Sequence, residues 1–218
     1  MNISAIDFKK EVDSIIQRLP KCPSNPIQPE SGIVPPFIGK GEIKLIIIGQ
    51  DPTIRNVERR KDINVTLNLD KSGALRTYIE RICLSLGIQL DNVYATNVFK
   101  YFYTTPPAQT FDVLKAHLND NLTLLTKELS AFPKCPIITL GEPVLKLLVN
   151  QGIPDLVRYY WDYDKKTMSS NGKFLYVSAK DNKLARDFFP FCHQPSIRKE
   201  FYNKTFDSYV DFMKSIIR

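Results

Sequence analysis

Residues 45–56 read LIIIGQDPTIRN. Its apolar, largely β-branched run stops abruptly at Gly49-Gln50-Asp51-Pro52, a polar turn. Apolar residues without polar alternation mark a strand covered on both faces, as in a parallel sheet flanked by helices. Ligands of open α/β sheets bind just outside the carboxyl ends of such strands. Asp51 is therefore expected at the mouth of a cleft.

Upstream, Ile6, Val12, Ile15, Ile16 and Leu19 give an amphipathic first helix ending at Pro20. Six prolines between Pro20 and Pro36 make an extended, surface-hugging segment. Downstream, Ser72 is placed to cap a helix carrying Leu75, Tyr78, Ile79, Ile82, Cys83 and Leu86, with Gly87 at its end. Val93–Phe99 reads as a second strand, followed by an aromatic loop from Lys100 to Pro107. Asp112 opens a helix with Val113, Leu118, Leu122, Leu125 and Leu129 on its buried face. Ile137–Leu140 is a third strand, broken at Gly141 and followed by a helix over 143–149. Phe174–Ser178 is a fourth strand, His193 falls in a loop spanning 179–196, and a last helix covers 199–217.

Strands alternating with helices predict an α/β fold: a three-layer α/β/α domain on a central, mostly parallel four-stranded sheet. With 218 residues, 43% hydrophobic and 24% charged, one domain over 1–218 is expected, residues 1–40 being its N-terminal helix and Pro-rich extension. No stretch approaches the roughly 20 apolar residues of a membrane span, and the N-terminus lacks the order of a signal peptide, so a cytoplasmic or nucleoid location is expected. Four scattered cysteines and two histidines suggest neither a disulfide framework nor a metal site.

The net charge is +7, and its distribution is uneven. Between Lys165 and Lys204 nine Lys or Arg face three acidic residues, and Arg55, Arg59, Arg60 and Lys61 follow the GQDP turn. Clustered cations are the footprint of a phosphate-backbone binder, or simply a solvated basic face.

Three polar groups stand at or after strand ends: Asp51, Asn97 within VYATNVFK, and His193 within HQPS. A carboxylate can orient water or stabilise a developing cation, an amide can read a hydrogen-bonding edge, and an imidazole can meet a departing oxyanion. Singly, an Asp-Pro turn, a strand-end Asn and a lone His are ordinary structural features. His117, on a helix, reads as structural. Cys192 adjoins His193, but adjacent residues usually point apart, and the pair is set aside as a nucleophilic couple.

In this order the motifs resemble the uracil-DNA glycosylase superfamily. Gly49-Gln50-Asp51-Pro52 is similar to its water-activating motif G-Q-D-P-Y-H, Val93–Val98 to the strand whose Asn reads the base, Ile138–Pro143 to the later strand–Gly–helix step, and His193–Ser196 to its H-P-S motif. The resemblance implies hydrolysis of a base–deoxyribose bond in DNA after the nucleotide is flipped out of the helix. It implies Asp51 and His193 as catalytic residues, with Gln50, Pro52, Thr53 and Asn97 around the base. Ser196 would hold a flanking phosphate, Ile197 and Arg198 would enter the duplex as apolar wedge and cation, and Lys199 and Arg55 would complete the DNA contacts. The expected partner is damaged DNA, bound by a monomer without metal, cofactor or membrane.

The chain departs from the family pattern at three places. Thr53-Ile54 replaces Tyr-His, so the steric block on a methyl-bearing base is smaller. NVTLNL, residues 64–69, offers no stacking Phe, leaving Phe99, Tyr101 or Phe102 as substitutes; Tyr103, Tyr159, Tyr160 and Trp161 are further candidates for stacking. Gln194 is an extra residue between His193 and Pro195. The cysteine spacing does not fit the superfamily's iron–sulfur branch. Two rivals remain: a catalytically inactive protein that binds DNA or nucleotides on the same fold, and an α/β hydrolase of small nucleosides.

Overall fold

The computed structural model describes residue 3 and residues 6–164 and 166–217. Lys165, one of the cations in the basic segment, and Arg218 lie outside the described residues. The apolar run of the decisive stretch forms β2 (Leu45–Gly49), at the centre of a five-stranded sheet. Leu45 to Ile48 are all 0% exposed, the burial on both faces that an unbroken apolar run demands. Each such side chain contributes about 1.5–3 kcal/mol of transfer free energy.

The other strands are β1 (Phe37–Ile38), β3 (Val93–Asn97), β4 (Ile137–Leu140) and β5 (Phe189–Phe191). Their order is β1-β3-β2-β4-β5; β1 is antiparallel to β3 and all other pairs are parallel. The sheet is mostly parallel, as expected, but has five strands rather than four.

The expected strand at Phe174–Ser178 makes only one antiparallel bridge, Val177 to Phe188. Its Phe174 instead packs its ring against Tyr209 and Phe212 of the last helix. The true edge strand is Phe-Pro-Phe, hidden in the sequence by Pro190, which a ladder tolerates only at an edge. Pro190 still serves as an acceptor, taking the Trp161 indole N–H at 2.7 Å.

Seven α-helices are described: α1 (Phe8–Arg18), α2 (Ala74–Ser85), α3 (Phe111–Leu129), α4 (Glu142–Leu148), α5 (Val157–Tyr160), α6 (Gln194–Ile197) and α7 (Glu200–Ile216). Asp7 caps α1 by accepting the Lys10 N–H. The N-cap of α2 is Gly73, one residue after the expected Ser72, and Gly87 follows that helix at φ 71°. α3 packs against α1 and α4, and α2 against α6 and α7, giving the three-layer α/β/α arrangement.

The Pro-rich segment has structural work. It runs antiparallel to the aromatic loop through the bridges Ile27–Tyr103 and Ile33–Tyr101. Gln28 and Val34 donate to the carbonyls of Phe102 and Lys100. Prolines occupy positions of the segment that need no donor.

Register places the site. Gly49 pairs with Asn97, Ile48 with Thr139 and Leu140 with Phe191, so the carboxyl ends of four parallel strands lie level. The chain goes from β2 to β3 on one side and then crosses to β4 on the other. That reversal opens a crevice beside β2, where a ligand fits.

Candidate active site

Asp51 lies two residues beyond β2, Asn97 ends β3, Gly141 follows β4, and His193 lies two residues beyond β5. A cavity of about 380 Å³ is lined by Gln50, Asp51, Thr53, Leu67 and His193 among others. An adjoining one of about 540 Å³ is lined by Asp51, Pro52, Thr53, Asn97 and His193. The carboxylate, the amide and the imidazole expected from three separate motifs thus share one cleft.

Asp51 is half-buried, and burial pushes its carboxyl up from 3.8 to about 6. Hydrogen bonds from the Thr53 hydroxyl and N–H, then Gln50, then the charge of Arg60, oppose that rise. The Thr53 N–H donates to Asp51 Oδ1 at 2.7 Å. Thr53 Oγ1 also accepts the Tyr103 N–H at 2.9 Å. Thr53 therefore aims the carboxylate and ties its turn to the aromatic loop, besides lining the cleft. Above its pKa, a carboxylate held by donors on one side can accept a proton from water on the other.

Asn97 is 1% exposed, and its Oδ1 has no hydrogen-bond partner among the described residues. A buried orphan acceptor in a cleft wall is a recognition element available for a ligand donor. The side chain lies across Gly49, where a Cβ would come within 2.3 Å of Asn97 Oδ1 and 3.0 Å of Leu67. Only glycine at position 49 leaves room for the Asn97 amide.

His193 is exposed as a residue, yet its ring borders the cleft, and burial there lowers its pKa below the ordinary value. It is neutral at pH 7 and has an N–H to donate. Gly141, at φ 88°, lets β4 turn beneath it; a Cβ there would meet His193 Cβ at 3.3 Å. The extra residue Gln194 opens α6 after His193, so it leaves the spacing from β5 to His193 unaltered. Cys192 is buried, bonded to the Tyr78 hydroxyl, and burial pushes its thiol up to about 12, which removes it as a nucleophile. His117 is structural, its ring nitrogens meeting the Tyr103 hydroxyl at 3.1 Å and the Pro20 carbonyl at 3.0 Å.

The DNA-facing expectations divide. Ser196 and Lys199 line a recess of about 220 Å³ next to His193, and Arg198 and Arg55 are exposed. Ile197 is only 8% exposed and packs into the core. It is not presented as a wedge, because α6 turns its apolar side chain inward. Within the cluster after GQDP, Arg60 is likewise withdrawn from solvent at 2% exposure. Its guanidinium donates to the carbonyls of Ile54, Tyr103 and Thr104, with Phe102 beneath it, stapling the Asp51 turn to the aromatic loop.

The proposed substitutes for a stacking aromatic are not available. Phe99, Tyr101, Phe102 and Tyr103 are all 1% exposed or less, pinned under the Pro-rich segment. Tyr160 and Trp161 are buried too; Tyr159 is exposed but outside the cleft. The wall is Leu67, which lines both cavities. Leu67 and Asn68 hold φ of 59° and 55°, uncommon for side-chain-bearing residues and characteristic of functional loops. No periodicity in NVTLNL signals that conformation. Since base–aromatic stacking is worth about 1–3 kcal/mol, Leu67→Phe is expected to tighten capture of single-stranded DNA by roughly 5–160-fold. Fluorescence anisotropy would measure this, and an unchanged affinity would remove Leu67 from the base-facing wall.

The model of the uracil DNA glycosylase superfamily matches residues 35–212. The chain belongs to that superfamily. No curated protein matches it. Among the described residues no helix is long and apolar enough to cross a membrane.

Proposed function

We propose that the chain is a DNA glycosylase that hydrolyses the bond between deoxyribose and a damaged base, uracil or a related one, in DNA repair. The observation that carries this reading is the convergence of Asp51, Asn97 and His193 on one cleft at the carboxyl edge of the sheet. The target nucleotide is taken out of the stack, since its glycosidic bond is unreachable within it. Asn97 reads the edge of the base, with Gln50, Pro52 and Leu67 around it. As the C1′–N bond breaks, ionised Asp51 faces the cationic sugar and orients the water that adds to C1′. The electron pair leaves with the base, and the N–H of neutral His193 meets the developing negative charge. Ser196, Arg198, Lys199 and Arg55 contact the backbone, a term that carries affinity rather than sequence preference. All these roles are filled by side chains of one chain, acting as a monomer.

The test uses oligonucleotides containing uracil, hypoxanthine or hydroxymethyluracil, followed by alkaline cleavage of abasic sites. Strand scission with at least one of them is expected. DNA binding without scission on any base would instead make this a binding protein. An affinity insensitive to salt would point to a small nucleoside as ligand.

A further inference from the structure

We propose that Lys100 and Glu128 are positioning residues for base selection: a buried ion pair that holds Asn97 in place from behind. This rests on the reading of Asn97 as the group that meets the base. Lys100 is 1% exposed and Glu128 0%, among the most deeply buried charges in the molecule. Lys100 Nζ lies 2.5 Å from Glu128 Oε1 and donates to the Asn97 carbonyl at 3.0 Å. The other carboxylate oxygen accepts from the Tyr94 hydroxyl at 2.5 Å and Thr96 Oγ1 at 2.7 Å. Tyr94, Thr96 and Asn97 all belong to β3, so one helix carboxylate grips two of its residues and the lysine fixes the third.

The physical case starts from cost. Two desolvated charges are often no more stabilising than apolar residues of the same volume. An apolar pair, however, is non-directional and would leave the end of β3 held by its ladder with β2 alone. This pair instead supplies directed bonds where positional tolerance is smallest. Asn97 Oδ1 lies over Gly49 with no space for even one additional carbon. A displacement of a few tenths of an ångström at the end of β3 is passed directly to the amide. Burial and the Glu128 charge also raise the Tyr94 hydroxyl far above its ordinary pKa, so it stays a donor throughout.

Removing one charge strands the other, so the test is the double variant Lys100→Met, Glu128→Gln, which leaves an amide to receive Tyr94 and Thr96. Two readouts are taken beside the melting curve: the Asn97 side-chain amide resonances, assigned with Asn97→Asp, and the ratio of kcat/KM between the preferred and next-best base. Shifted or doubled Asn97 resonances and at least a tenfold fall in that ratio are expected. Unmoved resonances overturn the proposal, whatever the activity. Displaced resonances with an unchanged ratio overturn the claim on base selection, because a purely structural pair lowers all substrates alike. If the wild type releases no base, the glycosylase reading fails, while the resonances still decide whether the pair holds Asn97. Should the double variant not fold, Glu128→Gln alone is read by the same measures, since a buried, unpaired lysine can lose its proton.

Discussion

Asp51→Asn is expected to lower base release by about 10²–10⁴-fold, the usual contribution of a positioned acid–base group, and at the same time to stabilise the fold above pH 6. The folded protein holds the Asp51 proton more tightly than the unfolded chain, at about 6 against 3.8. Its contribution to stability is therefore fully present below pH 3.8 and is lost as pH rises through about 6. The roughly two-unit difference corresponds to at most about 3 kcal/mol at about 1.4 kcal/mol per unit. Partial exposure of the residue reduces this to about 1–2 kcal/mol. Asparagine cannot ionise, yet its Oδ1 still accepts the Thr53 N–H. The variant should thus gain that amount at pH 8 and nothing at pH 4. Urea unfolding at pH 4, 6 and 8 checks the sign, and a gain independent of pH would contradict it. A residue that costs stability at working pH while facing a cleft is what a functional carboxylate looks like energetically.

His193→Ala is the second large expected effect, a loss of about 10²–10³-fold in kcat, the scale for removing one donor to a developing anion. The His193 side chain makes no hydrogen bond among the described residues and is solvent-exposed, so stability should change by no more than about 0.5 kcal/mol. His193→Gln keeps an N–H and should recover part of the loss. The two groups together also set the pH profile. Activity rises as Asp51 ionises near pH 6, and the lowering of the His193 pKa by burial favours its neutral, donating form on the plateau above. A single ascending limb and a plateau to pH 8 are expected under single-turnover conditions. An activity that falls as His193 becomes neutral would show that the imidazolium is required and would reverse its assigned role.

Much of the fold could be read along the chain because burial on two faces leaves a local trace. β2 appears as an uninterrupted apolar run and β3 and β4 as mainly apolar ones, and the ends of β2 and β3 carry the polar residues in view, Gln50-Asp51 and Asn97. β5 left no such trace, being three residues long with Pro190 at its centre. β1, only two residues long, left none either. A buried run ending in a polar turn was enough to single out Asp51, whereas His193 was legible only through the likeness of its HQPS motif, because the strand before it left no mark.

Side chains whose environment is supplied by distant segments were decided by the tertiary structure alone. Arg60 reads as one cation in a basic cluster, yet it lies under carbonyls from the aromatic loop. Ile197 reads as an exposed wedge, yet a one-turn helix rotates it into the core. The aromatics of 99–103 read as candidate stackers, yet the Pro-rich segment covers them and leaves Leu67, in an uncommon backbone conformation, as the wall. Lys100 and Glu128 carry no local mark of burial, because each is hidden by the other across 28 positions of chain. Periodicity reports which face of an element is covered. Only the packed structure says which charges go inside and what they hold there.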